Sequence, residues 1–200
     1  MKPTKILMED MAGFKLLPYL KADLLRAQQL LHGAATVVSG RRLWLGLFSP
    51  RFVPVLLCRL AYASQCMGIR PVAKFFSLLN FFFFGIEIAV RCPIGKGLFF
   101  PHTQGTVIGA WSIGENVTIF QGVTLGAKEI DFSYMKSSRP TIGNGVTIGS
   151  GAKVLGGLTL GSDSRVGANA VVLSDVLPGS LAVGIPAKAV EVRSSDHETQ

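Results

Sequence analysis

Charge is scarce in this chain. Lysine, arginine, aspartate and glutamate make up 16% of its 200 residues, against 48% hydrophobic ones. A sizeable core can therefore be buried, and one or two domains fit the length. Acids are the scarcer sign: 12 of them face 20 lysines and arginines, a formal net charge of +8. That surplus favours an anionic ligand, a membrane surface or nucleic acid. No basic run interleaved with aromatics sits on a recognisable nucleic-acid module, which ranks nucleic acid last. The three cysteines, Cys58, Cys66 and Cys92, are odd in number and lack CxxC spacing. They read as reduced, structural thiols of an intracellular chain, with a reactive role for Cys92 as the lesser alternative.

Long apolar runs are also missing. No stretch approaches the roughly eighteen uncharged apolar residues of a membrane-spanning helix. The opening MKPTKILMEDMAGF carries an acidic pair and no continuous apolar core, so no secretory leader is expected. Histidine occurs at three positions, His32, His102 and His197. A catalytic zinc needs three protein ligands. One histidine and one cysteine in the glycine-rich part of the chain cannot supply them, so no metal site is expected. No Gly-x-Ser-x-Gly elbow and no activated-cysteine pattern is present, which argues against a covalent acyl-enzyme.

Glycine is plentiful, at 23 residues, and it follows a rhythm. A large apolar residue returns every sixth position: Ile88, Ile94, Phe100; then Ile113, Ile119, Leu125; then Ile142, Ile148, Val154, Leu160, Val166, Val172. The register slips between Phe100 and Ile113 and breaks between Leu125 and Ile142. Glycine often comes next, as in Ile94-Gly95, Ile108-Gly109 and Ile148-Gly149. A period of six fits neither a helix nor an amphipathic strand. It fits hexapeptide repeats of a parallel β-helix, three to a triangular coil, with the apolar residue inward. About a dozen repeats give roughly four to five coils, which stabilise only by stacking on one another.

Ahead of the repeat the pattern is helical. Helices are expected over residues 14–32, stopped by Gly33; over 51–66, with Pro54 in the first turn; and over 72–84, ending at Gly85. Residues 1–12 read as a loose start, and Gly40-Arg41-Arg42 and Ser49-Pro50 punctuate residues 33–50. The third helix is very apolar and too short to span a bilayer. It is expected to bury against the end of the β-helix or another subunit. The alternative is a membrane surface, with Arg51, Arg59, Arg70 and Lys74 nearby. The chain thus divides into a helical region, 1–84, a mainly β domain, 85–192, and a polar tail, 193–200. Residues 127–141 interrupt the coil, and such an excursion is commonly the binding face.

His102, in Phe100-Pro101-His102-Thr103-Gln104-Gly105, is the only histidine of the repeat and lies where its phase slips. An imidazole accepts a hydroxyl proton near neutrality. Glu87 lies fifteen residues earlier, which with about eighteen residues per coil puts both near one edge of adjacent coils. A carboxylate there would fix the ring's tautomer. A purely structural histidine is the equal alternative on spacing alone.

At these residues the chain resembles the serine acetyltransferase family of hexapeptide-repeat acyltransferases. The resemblance is carried by Gly85-Ile86-Glu87-Ile88, Ile94-Gly95-Lys96-Gly97-Leu98-Phe99, His102, Val107-Ile108-Gly109, Gln121-Gly122-Val123-Thr124-Leu125-Gly126, Ile148-Gly149-Ser150-Gly151-Ala152-Lys153-Val154-Leu155-Gly156, Gly167-Ala168-Asn169-Ala170-Val171-Val172-Leu173 and Gly184-Ile185-Pro186-Ala187. It implies a left-handed β-helix and an acetyl-CoA-dependent O-acetyltransferase built as a trimer, or a hexamer through the N-terminal helices, with the site between neighbouring β-helices. It implies His102 as general base and Glu87 as its acid. It implies Gly126, Ala127, Ser150 and Ala168 along the pantetheine, and Arg165 and Lys188 toward the CoA phosphates.

Departures from the family bear on the acceptor. The base is preceded by Pro101 where members usually have aspartate. The insertion rejoins as Ser138-Arg139-Pro140 where they usually have Arg-His-Pro. Pro101 and Arg139 thus stand at acceptor-binding positions. The chain closes on Glu198-Thr199-Gln200, not on isoleucine, so no complex with a sulfhydrylase is expected. The sequence therefore reads as a cytoplasmic O-acetyltransferase, with peripheral contact at the inner membrane face as an option. The expected acceptor is a saccharide hydroxyl of a capsule or exopolysaccharide. L-serine, for cysteine biosynthesis, is the second acceptor, and a non-catalytic trimeric scaffold the alternative from another class.

Overall fold

The structure, a computed structural model, describes residues 14–33, 46 and 48–190. The expected loose start over 1–12, the Gly40-Arg41-Arg42 punctuation, and the tail with His197 and Glu198-Thr199-Gln200 lie outside the described residues.

Among the described residues three helices come first: α1 (Leu16–His32), α2 (Val53–Cys66) and α3 (Arg70–Phe84). α2 and α3 each carry a proline in the first turn, where no intrahelical N–H is required. This is why α3 begins two residues before the expected start. It ends at Gly85, whose left-handed conformation (φ 59°) closes the helix and turns the chain into the first strand.

Thirteen short strands follow: β1 (Ile86–Ile88), β2 (Thr106–Ile108), β3 (Ser112–Ile113), β4 (Thr118–Ile119), β5 (Thr124–Gly126), β6 (Thr141–Ile142), β7 (Thr147–Ile148), β8 (Lys153–Leu155), β9 (Thr159–Leu160), β10 (Arg165–Val166), β11 (Val171–Val172), β12 (Leu181–Gly184) and β13 (Ala187–Val190). They form three walls, β1-β2-β5-β8-β11, β3-β6-β9 and β4-β7-β10-β12-β13. Every pairing is parallel except the terminal hairpin of β12 and β13. Strands one coil apart pair in register, which is a parallel β-helix of five coils.

All twelve positions of the six-residue rhythm are buried. They stack in columns: Ile88, Ile108, Leu125, Val154 and Val172 along the first wall, and Ile94, Ile113, Ile142, Leu160 and Val176 along the second. A second buried set, at Val146, Ala152, Leu158, Ser164 and Ala170, lies two residues before each large one. Each hexapeptide thus covers its neighbours above and below, so the core is continuous along the axis.

α1 and α2 are joined to the first coil by a buried ion pair. The Arg59 guanidinium donates to both carboxylate oxygens of Asp23, at 2.8 and 3.1 Å, and to the carbonyls of Ile94 (2.5 Å) and Gly95 (2.6 Å). Asp23 also accepts from the N–H groups of Gly97 (2.7 Å) and Leu98 (2.9 Å). Within the single chain the end of the β-helix does not cover the apolar surface of α3. Among its residues only Ala73 and Asn80 are buried, while Phe75, Leu78, Phe81, Phe82 and Phe83 are exposed. The reason is geometric: α3 packs on α2 along one narrow stripe, where Asn80 Nδ2 donates to the Pro54 carbonyl at 3.0 Å.

Candidate active site

The slip at Phe100 has a structural cause. Phe100 falls level with Ile119, and Gly105 stacks on Gly122. Between those levels lie four residues, 101–104, against only Phe120 and Gln121 in the next coil. The first coil therefore bulges by two residues at this corner, and His102 rides on the bulge, exposed. The corner is a column of left-handed residues, Gly85, Gly105, Gly122, Gly151 and Asn169. Gly151 is the tightest: a Cβ there would come within 2.1 Å of Asn169 Oδ1, and one at Gly85 within 2.3 Å of Gln104 Oε1.

Glu87 is exposed on β1, just past Gly85, in register with Val107. His102 lies just before Gly105, whose N–H donates to the Gly85 carbonyl at 2.9 Å. The two side chains thus flank one corner, as their spacing suggested, although no hydrogen bond joins them among the described residues.

His102 lines an open cleft of about 400 Å³ with Pro50, Arg51, Phe84, Phe100, Pro101, Thr103 and Gln104. Among the described residues that line it, Arg51 is the only permanently charged side chain. It is exposed, and no described residue pairs with its guanidinium. The sequence reading linked Arg51 to a membrane and missed it here, because fifty residues separate it from His102. Only the packing of α2 and α3 under the first coil brings it to the cleft.

The other predicted residues divide between two edges of the β1-containing wall. Ser150 and Ala168 lie beside Gly151 and Asn169, on the His102 corner, where the Asn169 N–H donates to the Ser150 carbonyl at 2.8 Å. Gly126 and Ala127 lie at the opposite edge, where β5 runs into the insertion. Arg165 and Lys188 are exposed on another wall, on β10 and β13, which both border β12. Pro101 is half-buried on the cleft wall.

Arg139 stands apart from the cleft. Its Nε donates to Asp131 (2.9 Å), one terminal nitrogen to the Gly109 carbonyl (2.8 Å) and the other to the Asp131 carbonyl (2.9 Å). Its guanidinium lies 4.2 Å from the centre of the Tyr134 ring. Asp131 also accepts the N–H groups of Ser133, Tyr134 and Met135. Partial burial pushes the Asp131 carboxyl up, but the Met135 N–H and the Arg139 guanidinium outweigh it and the net shift is downward. The Tyr134 hydroxyl donates to the Ala110 carbonyl at 2.6 Å. The insertion is therefore clamped shut at its base, while Ile130 and Phe132 point into solvent.

Two of the thiols, Cys58 and Cys92, are buried. Burial pushes Cys58 up to about 11 and Cys92 higher still. A thiolate is the reactive form, so the reactive alternative for Cys92 is set aside.

Residues 139–174 match the model of the bacterial transferase hexapeptide family (six repeats). Over 140 residues the chain is 46% identical to serine acetyltransferase from Helicobacter pylori (strain J99 / ATCC 700824), spanning 69% of this chain and 80% of that protein. The fold superposes on Neisseria gonorrhoeae serine acetyltransferase in complex with serine, with TM-score 0.73 and 30% identity, over 91% of this chain and 72% of that one. It superposes equally on a serine acetyltransferase complexed with CoA, with TM-score 0.75 and 25% identity, over 92% and 75% of the two chains. The coil is a left-handed β-helix, as in these proteins. The ranking of a saccharide as acceptor is overturned by these relatives, which are serine acetyltransferases. Pro101 and Arg139 had suggested it, and the structure gives Arg139 a different task, holding the insertion.

Proposed function

The chain belongs to the serine acetyltransferase family, and on that premise we propose that it transfers the acetyl group of acetyl-CoA to the hydroxyl of L-serine. Membership makes it an acetyl-CoA-dependent acyltransferase. The observation that carries the serine reading is the 46% identity to a serine acetyltransferase over 80% of that protein. The placement of His102 on a cleft wall is consistent with it.

In this reading the His102 imidazole takes the proton of the serine hydroxyl as the oxygen attacks the thioester carbonyl. The tetrahedral intermediate collapses, the C–S bond breaks, and the imidazolium returns its proton to the departing sulfur. Glu87, across the corner, orients the ring and stabilises its charged form. Arg51 supplies the cation that meets the serine carboxylate, while Arg139 is committed to the clamp of the insertion, apart from the cleft. Gly126, Ala127, Ser150 and Ala168 line the pantetheine, and Arg165 and Lys188 face the CoA phosphates. Because these residues lie on different edges of one coil, the reading includes a trimer, in which neighbouring coils of residues 85–192 complete each site. The helices α1, α2 and α3 of the region 1–84 then pack outside the coils.

Release of free CoA from acetyl-CoA, with L-serine and separately with a panel of oligosaccharides, tests the reading. Turnover with L-serine is expected. Turnover with a glycan and none with serine would overturn it.

A further inference from the structure

We propose that the outward face of α3 docks on an anionic lipid surface. Among the large apolar residues of this helix, Phe75 is 56% exposed, Leu78 51%, Phe82 71% and Phe83 73%. Val72, Phe75, Leu78 and Phe82 recur at spacings of three and four, so they form one stripe. The stripe lies opposite Ala73 and Asn80, which face α2. Met67 and Ile69, 67% and 45% exposed in the turn before α3, extend it. A contiguous apolar patch of this kind marks an interaction surface on a folded chain.

Charge selects the occupant. Between Asp23 and Glu87 the sequence contains no aspartate or glutamate. On α3 the only charged residues are Arg70 and Lys74, both exposed, and Arg51 adds a third exposed cation nearby. Arg59 is the exception, buried on Asp23. Lipid phosphates complement such a face: the aromatic rings sink to the headgroup boundary while the cationic stems reach outward to the phosphates. A second copy of the same face offers only more cations and no carboxylate to meet them. No helix among the described residues is long and apolar enough to cross a membrane, so α3 lies in the interface plane. Phe84, at the end of the same helix, lines the His102 cleft, and docking therefore holds that cleft close to the lipid surface.

Flotation of the full-length protein with phosphatidylcholine vesicles, with and without phosphatidylglycerol, tests the proposal. The expected result is binding to the anionic vesicles, weakened by salt. It should fall by about tenfold or more in the double variant Phe82→Ser/Phe83→Ser, and also in Lys74→Glu, with acyl transfer in solution unchanged. Absence of binding, or equal binding by wild type and variants, overturns it. So does a change of oligomeric mass in the variants without a change in flotation, which would give the face to a second copy. Flotation reads lipid binding whatever the acceptor, so its result is separable from the serine reading.

Discussion

Two aspartate–arginine pairs hold this molecule together, and they have different consequences. In both, the carboxylate gathers backbone N–H groups, the guanidinium donates to backbone carbonyls, and a tyrosine ring lies against the arginine, at 4.9 Å for Arg59 on Tyr19 and 4.2 Å for Arg139 on Tyr134. Burial separates them. Arg59 and Asp23 are 1% and 0% exposed; Arg139 and Asp131 are 14% and 9% exposed. The first pair joins helices to coil, two regions that share no repeat, whereas the second closes a loop whose ends already belong to stacked strands. One chemistry thus secures a domain junction where water is excluded and shapes a surface loop where it is not.

Breaking the inner pair has the largest effect. Asp23→Ala leaves the Arg59 charge buried without its partner and two N–H groups unmet, and should cost about 3–5 kcal/mol, read as a lower denaturation midpoint. Arg59→Lys alone should also lower the midpoint, because an ammonium cannot span Asp23 and two carbonyls as the guanidinium fork does. An unchanged midpoint in Asp23→Ala would equate the two pairs.

A third arginine sharpens the contrast, since Arg51 belongs to neither clamp. Arg51→Ala should raise KM for L-serine by about ten- to a hundredfold, the loss of one charge-assisted contact. The KM for acetyl-CoA should hold, and Arg51→Lys should restore part of the loss. L-serinamide, which lacks the carboxylate, should be a poor acceptor for wild type and lose little further in the variant. An equal loss for both acceptors would remove Arg51 from carboxylate recognition.

The outer pair comes next. Arg139→Ala should leave global unfolding nearly unchanged while speeding proteolytic cleavage within residues 127–141 by on the order of tenfold. Acid should do the same more gently. The folded Asp131 carboxyl lies below its ordinary value, so its contribution is complete above the unfolded value, about 3.9, and is lost as pH falls through the folded one. Cleavage of the loop should therefore rise in acid and stay flat from pH 6 to 8. The smallest effect concerns the thiols: in folded protein at pH 8, Cys58 and Cys92 should resist iodoacetamide, and rapid alkylation would show that the core around them opens.

The coil was legible because hexapeptide phase is local: each large residue declares its column by its spacing alone. Ile108 escaped the series because the two-residue bulge that carries His102 shifts the phase just before it. The same irregularity that hid a core position exposed the site. The extent of the insertion could be read, but not its clamp, because nothing in the sequence ties Asp131 to Arg139 and Gly109. Arg139 therefore passed for an acceptor residue, and with Pro101 it misdirected the choice between saccharide and serine. Arg51 and the Asp23–Arg59 pair depend on how helices lie against the coil, which no periodicity records. For a related reason the sequence could not choose what covers α3: apolar composition states that a surface wants cover, not whether the β-helix end, another subunit or a membrane provides it.

The most direct test is the pH–rate profile of serine-dependent CoA release for wild type, Glu87→Gln and His102→Ala. The expected result is a loss of about 10²–10⁴-fold in kcat for His102→Ala, with the base limb of the profile abolished, and a smaller loss for Glu87→Gln that keeps that limb but shifts it. Turnover by His102→Ala at the wild-type rate, with the same pH dependence, would contradict the assignment of the corner bulge as the seat of catalysis.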